Sequence, residues 1–110
     1  MADIDSIISQ IKQGITQIAT TQCQDYIAQI QQDGDAFLRA SKDDLQTWLE
    51  QLSSGQLSKE DFEFAVQGRK EALEMDALTQ AGLSVIRVEA IRSAIIKLII
   101  AVLVKAIPIP

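Results

Sequence analysis

The C-terminal segment constrains the fold of this chain more than any other feature, because it has no polar face. Of the 28 residues from Leu83 to Pro110, 19 are apolar. The run from Leu98 to Val104 contains no polar side chain at any helical phase. A helix that is apolar all round is buried in protein or in lipid. The segment therefore predicts a C-terminal helix that lies in a core, in a subunit interface or against a membrane.

The remainder of the chain predicts an all-α fold. Apolar residues make up 47% of the 110 residues and aromatic residues only 5%, which is typical of a helical bundle built from Ile, Leu, Val and Ala. Apolar side chains recur at steps of three and four, the spacing of one helical face. We predict one helical domain over residues 1–110, with helices over about 4–32, 36–53, 59–81 and 83–107. The β-branched content of residues 95–107 leaves a strand as a less favoured alternative.

Local signals set the predicted helix ends. Asp33-Gly34-Asp35 interrupts the apolar pattern and predicts a turn, while Ser41 and Ser58, each followed by Asp three residues later, resemble capping boxes. Gly55 is expected to end the second helix. Pro108 and Pro110 are expected to stop the last helix and leave an extended tail.

The first helix predicts a helix–helix seam on one side and an unusual surface on the other. Its polar side carries glutamine, serine and threonine with few charges, whereas a face that only needs solvation normally carries Lys and Glu. Uncharged amides can pack against copies of themselves, so this side favours self-association; a neutral solvated face is the alternative. The predicted seam consists of Ile4, Ile8, Ile11, Ile15, Ile18, Tyr26 and Ile30.

Charge is divided along the chain. Residues 1–80 carry 14 acidic and 6 basic side chains, whereas residues 81–110 carry 1 acidic and 4 basic. An apolar, basic segment suits an anionic membrane or the acidic part of a second copy. The predicted assembly or membrane contacts are Ile95, Ile96, Leu98, Ile99, Ile100, Val102, Leu103, Val104 and Ile107.

Several functional classes are disfavoured. The chain has no histidine, which excludes Ser-His-Asp and Cys-His catalysis and histidine-ligated zinc. Asp33-Gly34-Asp35 lacks the remaining ligands of a calcium loop, and no glycine-rich phosphate loop occurs. We therefore predict no catalytic, cofactor-binding or metal-binding residues and no small-molecule substrate. Because the cations are scattered through an acidic chain and no aromatic platform accompanies them, we predict no nucleic-acid partner.

Three functional hypotheses follow. The first is a non-enzymatic structural protein that forms a homo-oligomer or filament through its C-terminal helix. The second is a membrane-active protein that docks on anionic lipid or forms an oligomeric pore, although Lys97 and Lys105 bracket too short a run for a simple span. The third is a monomeric bundle that acts as an adaptor. The single Cys23 and the absence of a signal peptide predict a cytoplasmic location.

Overall fold

A computed structural model describes residues 3–107, and it confirms the all-α prediction. The described part of the chain forms a helical bundle that measures 44 × 23 × 21 Å along its principal axes. The helices are α1 (Ile4–Gln22), α2 (Ile27–Ser54), α3 (Lys59–Gly68), α4 (Asp76–Gln80) and α5 (Val85–Lys105), with 3-10 turns at Gln24–Tyr26 and Lys70–Ala72. The predicted tail at Pro108 and Pro110 lies outside the described residues.

The long helices α2 and α5 each pack along α1. Asp5 near the start of α1 forms an ion pair with Lys42 in the second half of α2, at 3.0 Å. Arg87 near the start of α5 donates a hydrogen bond to the carbonyl of Gln22 at the end of α1. Both α2 and α5 are therefore antiparallel to α1, and the buried apolar residues of all the α-helices form one cluster.

The predicted helix over residues 4–32 is wrong, because the chain breaks it at Cys23. Cys23 adopts φ −155° and ψ 64°, and a 3-10 turn precedes α2. Thr20 and Thr21, which have low helix propensity, precede the break. The apolar spacing continues across it because both α1 and α2 face the same core, with Cys23 itself buried.

The predicted turn at Asp33-Gly34-Asp35 and the predicted restart at Ser41 are also wrong, because α2 runs through both. Gly34 is buried against the side chain of Ile15, and a Cβ at this position would lie 2.9 Å from Ile15 Cδ1. Glycine thus allows α1 and α2 to approach closely. Ser41 is buried in the middle of α2 rather than at a helix end.

The predicted helix over residues 59–81 divides into α3, a 3-10 turn and α4. Leu73, Met75 and Leu78 are all buried, and steps of two and three do not keep three side chains on one face of a continuous helix. Non-helical backbone at Leu73 and Met75 allows all three to reach the core. The predicted cap at Ser58 is confirmed, since its hydroxyl accepts a hydrogen bond from the Asp61 N–H at 3.0 Å.

The start of α5 is defined by a glycine turn and a serine cap. Gly82 has φ 97°, a conformation that favours glycine, and Ser84 Oγ accepts a hydrogen bond from the Arg87 N–H at 3.3 Å. The helix runs from Val85 to Lys105, two residues shorter at each end than predicted. No helix within residues 3–107 meets the length and hydropathy that a membrane crossing requires.

Candidate interaction surface

The residues predicted as contacts on α5 divide between the core and the surface. Ile95, Ile96, Ile99 and Leu103 are fully buried within the chain itself. The others are half-buried and pack against the core from its edge: Leu98, Ile100, Val102, Val104 and Ile107. The fully buried set has no surface left for a partner, so any contact made by α5 must use its other side.

The predicted seam of α1 and α2 is largely internal. Ile11, Ile15 and Ile30 are buried, together with Ile7 and Ala19 of the same apolar series. The remaining seam residues are half-buried at the edge of the core: Ile4, Ile8, Ile18 and Tyr26. The seam therefore joins helices of one chain.

A strip along the solvent-facing side of α5, which we term the outer α5 face, carries a single charge, and the exposed Arg87 and Lys105 lie beside this strip. Its residues recur at steps of three and four, so they share one side of the helix. Lys97 is the single charged residue in this set, and Ile86 is 83% exposed. Solvent-facing sides of helices normally carry many charges. The outer α5 face consists of Ile86, Ala90, Ala94, Lys97, Ala101 and Val104.

The side of α1 beside α5 is also uncharged. Gly14 of α1 lies against the Leu98 side chain of α5, so close that a Cβ on Gly14 would lie 2.6 Å from Leu98 Cδ1. Gln10, Gln13 and Gln17, which lie around this approach on α1, are exposed. The outer α5 face thus continues into an amide-rich surface on α1.

A groove opens between α3 and the C-terminal half of α5, and we term it the α3–α5 groove. It has a volume of about 290 Å³. Ile100, Ala101 and Val104 form its apolar part, while cations outnumber the single acid Glu63. Its residues are Lys59, Glu63, Lys97, Ile100, Ala101, Val104 and Lys105.

The sequence prediction missed Phe64, the most exposed aromatic residue in the described part of the chain. Phe64 lies on α3 and is 82% exposed, whereas its neighbours Phe62 and Val66 are buried. The apolar spacing of α3 already excluded Phe64 from the core side. That exclusion was the signal in the sequence, because a phenylalanine without a place in the core is exposed to solvent.

Glu89 connects the start of α5 to the segment after α3. Its carboxylate accepts from Lys70 Nζ at 2.6 Å and from Arg92 Nη1 at 2.6 Å, and Arg92 Nε donates to the carbonyl of Leu73. The hydrogen bond from Lys70 is the main cause that holds the pKa of Glu89 below its usual range; partial desolvation opposes the shift, and the charge of Arg92 adds to it. Glu89, the single acidic residue of residues 81–110, is therefore already paired within the chain.

We expect the Glu89→Gln variant to unfold at a lower temperature than the wild type at pH 7, by a small margin because the carboxylate is partly solvent-screened. A lowered folded-state pKa stabilises the fold above the unfolded pKa of about 4.3, and this stabilisation is lost as the pH falls through the folded-state pKa. The difference between variant and wild type should therefore be smaller at about pH 3 than at pH 7. Thermal unfolding at both pH values tests this, with Glu71→Gln at an exposed site as the control. An equal difference at both pH values would contradict the expectation.

No group of acidic or cysteine side chains within residues 3–107 has an arrangement that would hold a metal ion. The larger groove between α2 and α4, about 560 Å³, contains Asp33, whose carboxylate is engaged in capping α4. Cys23 is buried with its Sγ 3.2 Å from Arg87 Nη2. Comparisons of the chain with protein-family models, with curated proteins and with solved structures found no match.

Proposed function

We propose that this protein is a non-enzymatic structural protein whose copies associate through the outer α5 face and the neighbouring amide-rich side of α1, forming an oligomer or a filament. The observation that carries the proposal is the composition of the outer α5 face. Between Ile86 and Val104 this face bears alanine, isoleucine and valine with Lys97 as its single charge. Contiguous apolar surface of this kind is typical of association sites.

Charge favours a second copy of the chain as the partner. The chain has a net charge of −5, yet the exposed part of α5 carries Arg87, Lys97 and Lys105, and the single acid of this helix, Glu89, is paired within the chain. A basic, apolar surface on an acidic protein is complementary to the remainder of another copy. Complementary surfaces on identical chains generate closed rings or open filaments, depending on the rotation between copies.

The Ala90→Glu variant tests this proposal. Ala90 is exposed and its replacement leaves the core unchanged, so the variant should fold normally. A carboxylate buried in the interface would lack a partner and would face the acidic part of the next copy. We expect the dissociation constant of the assembly to rise by roughly 30-fold, since an unpaired interfacial charge costs about 2 kcal/mol or more.

The matched control is Gln46→Glu, which adds the same charge at an exposed position of α2 outside the proposed face. Sedimentation velocity over a dilution series measures both variants. The proposal requires that Ala90→Glu dissociates at concentrations where Gln46→Glu remains assembled. Equal behaviour of the two variants would contradict it.

The lysines beside the apolar part of the α3–α5 groove favour a second candidate function, docking on an anionic membrane. Lys59, Lys97 and Lys105 surround Ile100, Ala101 and Val104, a combination that suits anionic headgroups above an apolar layer. Sedimentation with vesicles of phosphatidylserine and phosphatidylcholine tests it. Loss of vesicle binding in Lys97→Glu would support this candidate, and a wild type that stays in the supernatant would exclude it. If the protein neither assembles nor binds vesicles, the remaining hypothesis is a monomeric bundle that acts as an adaptor.

A further inference from the structure

We propose that the occupant of the α3–α5 groove is the exposed side of α3 from a second copy of the chain. We term that side the α3 ridge and define it as Glu60, Asp61 and Phe64. This inference rests on the proposed self-association and adds to it a specific pair of contacting surfaces. It commits to a protein partner rather than to lipid.

The shape of the ridge is the first argument. Phe64 points away from the core side of α3, which is occupied by Phe62 and Val66, and its side chain is 82% exposed. Aromatic side chains that become buried in a pocket of the partner are among the anchors that supply much of the binding energy of protein interfaces. Gly68 follows one turn later on the same side, and a Cβ there would meet nothing within 4 Å, so no side chain crowds the ring from that direction.

The size of the groove is the second argument. An apolar cavity of about 150 Å³ is enough to hold a benzene molecule. The α3–α5 groove, at about 290 Å³, therefore has room for the phenyl ring of Phe64 and for part of the helix that carries it. Ile100, Ala101 and Val104 provide the apolar contacts that the ring would require.

Charge complementarity is the third argument. Glu60 and Asp61 precede Phe64 by one turn and are exposed, and within residues 3–107 neither forms an ion pair through its carboxylate. The groove is bordered by Lys97 and Lys105, which are exposed and are likewise free of ion pairs in the described part of the chain. An acidic ridge with an apolar anchor thus matches a basic groove with an apolar floor. Because ridge and groove lie on neighbouring sides of α3, each copy can offer both surfaces at once.

Reciprocal charge reversal tests the contact. One variant carries Lys97→Glu and Lys105→Glu, and the other carries Glu60→Lys and Asp61→Lys. In each variant alone, the ridge and the groove carry charges of the same sign and repel each other. We therefore expect the dissociation constant of its assembly to rise by at least about 30-fold, as it does when an interface hot spot is lost. An equimolar mixture places a basic ridge against an acidic groove and should recover the wild-type mass.

A further variant removes the anchor without altering any charge. We expect Phe64→Ser to raise the dissociation constant of the assembly by a similar factor while it keeps the helical circular dichroism of the wild type, because the ring makes little contact with its own core. The control Phe64→Leu keeps an apolar anchor and should remain assembled. Circular dichroism of all variants confirms that they are folded before their masses are compared.

The outcomes separate this inference from the proposed function. Suppose that the wild-type protein assembles. If the charge-reversed variants then assemble as well, or if their mixture does not recover the wild-type mass, the contact between ridge and groove is overturned and self-association is not. A wild type that stays monomeric would overturn both. If the variant with Lys97→Glu and Lys105→Glu loses vesicle binding but assembles like the wild type, the groove binds lipid rather than a second copy. That result would also overturn the inference.

Discussion

Replacing Ile99 by alanine is expected to lower the free energy of unfolding by about 2–5 kcal/mol, a large fraction of the roughly 5–15 kcal/mol by which ordinary domains are stable. Ile99 is fully buried in the core, so the truncation leaves a cavity inside the chain. Urea denaturation monitored by circular dichroism measures the loss. The loss should be the same at every protein concentration, because the cavity lies within one copy.

Ile100 provides the matched control on the same helix. It is half-buried at the edge of the α3–α5 groove, so Ile100→Ala should cost clearly less stability than Ile99→Ala. If the two variants lost equal stability, or if the effect of Ile99→Ala depended on protein concentration, Ile99 would be an interface residue and the packing of α5 described above would be wrong.

The second large effect is expected at Asp33. Its two carboxylate oxygens accept hydrogen bonds from the N–H groups of Ala77 and Leu78, each at 3.0 Å, and so hold the first turn of α4 against α2. Asp33→Ala removes both acceptors at a site where the Leu78 bond is buried. Hydrogen bonds to charged groups contribute about 1.5–3 kcal/mol each, and the two are not additive, so we expect a loss of about 2–4 kcal/mol.

Asp35→Ala is the control, because it makes the same change two residues away on α2 at a half-buried position. We expect it to change the free energy of unfolding by less than about 0.5 kcal/mol. Amide hydrogen exchange gives a second measurement, since Ala77 and Leu78 should lose protection in Asp33→Ala and keep it in Asp35→Ala. Unchanged protection in both variants would show that Asp33 does not hold α4.

The sequence was sufficient to predict those features of the fold that depend on local chemistry. The cap at Ser58 depends on residues three apart, and the all-α class follows from apolar spacing within each helix. The positions of Ile11, Ile15 and Ile30 in the core also follow from that spacing, since each residue lies on the apolar face of its own helix.

The features that were predicted wrongly depend on contacts between distant residues. Asp33 and Gly34 read locally as a turn, yet α2 continues through them because Gly34 accommodates Ile15 and Asp33 caps α4, whose capped N–H groups lie 44 and 45 residues away. Local propensity contains no information about such partners. For the same reason the apolar series that crosses Cys23 appeared to be one helix, although it belongs to two helices that face a common core.

The candidate surface proposed from the structure differs from the one that the sequence predicted. The sequence predicted an association site on the large apolar residues of α5. Several of these residues, such as Ile96 and Leu103, are buried in the core of the chain itself. Which side of an all-apolar helix faces outward is decided by the helices packed around it. Ala90, Ala101 and Phe64 became candidates only after that packing was known.

The most direct test of the central claim, self-association through the outer α5 face, is the solution mass of the purified, detergent-free wild-type protein. Light scattering over a wide dilution series measures it. Self-association predicts a mass of several 12.1 kDa subunits that persists on dilution. A mass of 12.1 kDa at every concentration would contradict it.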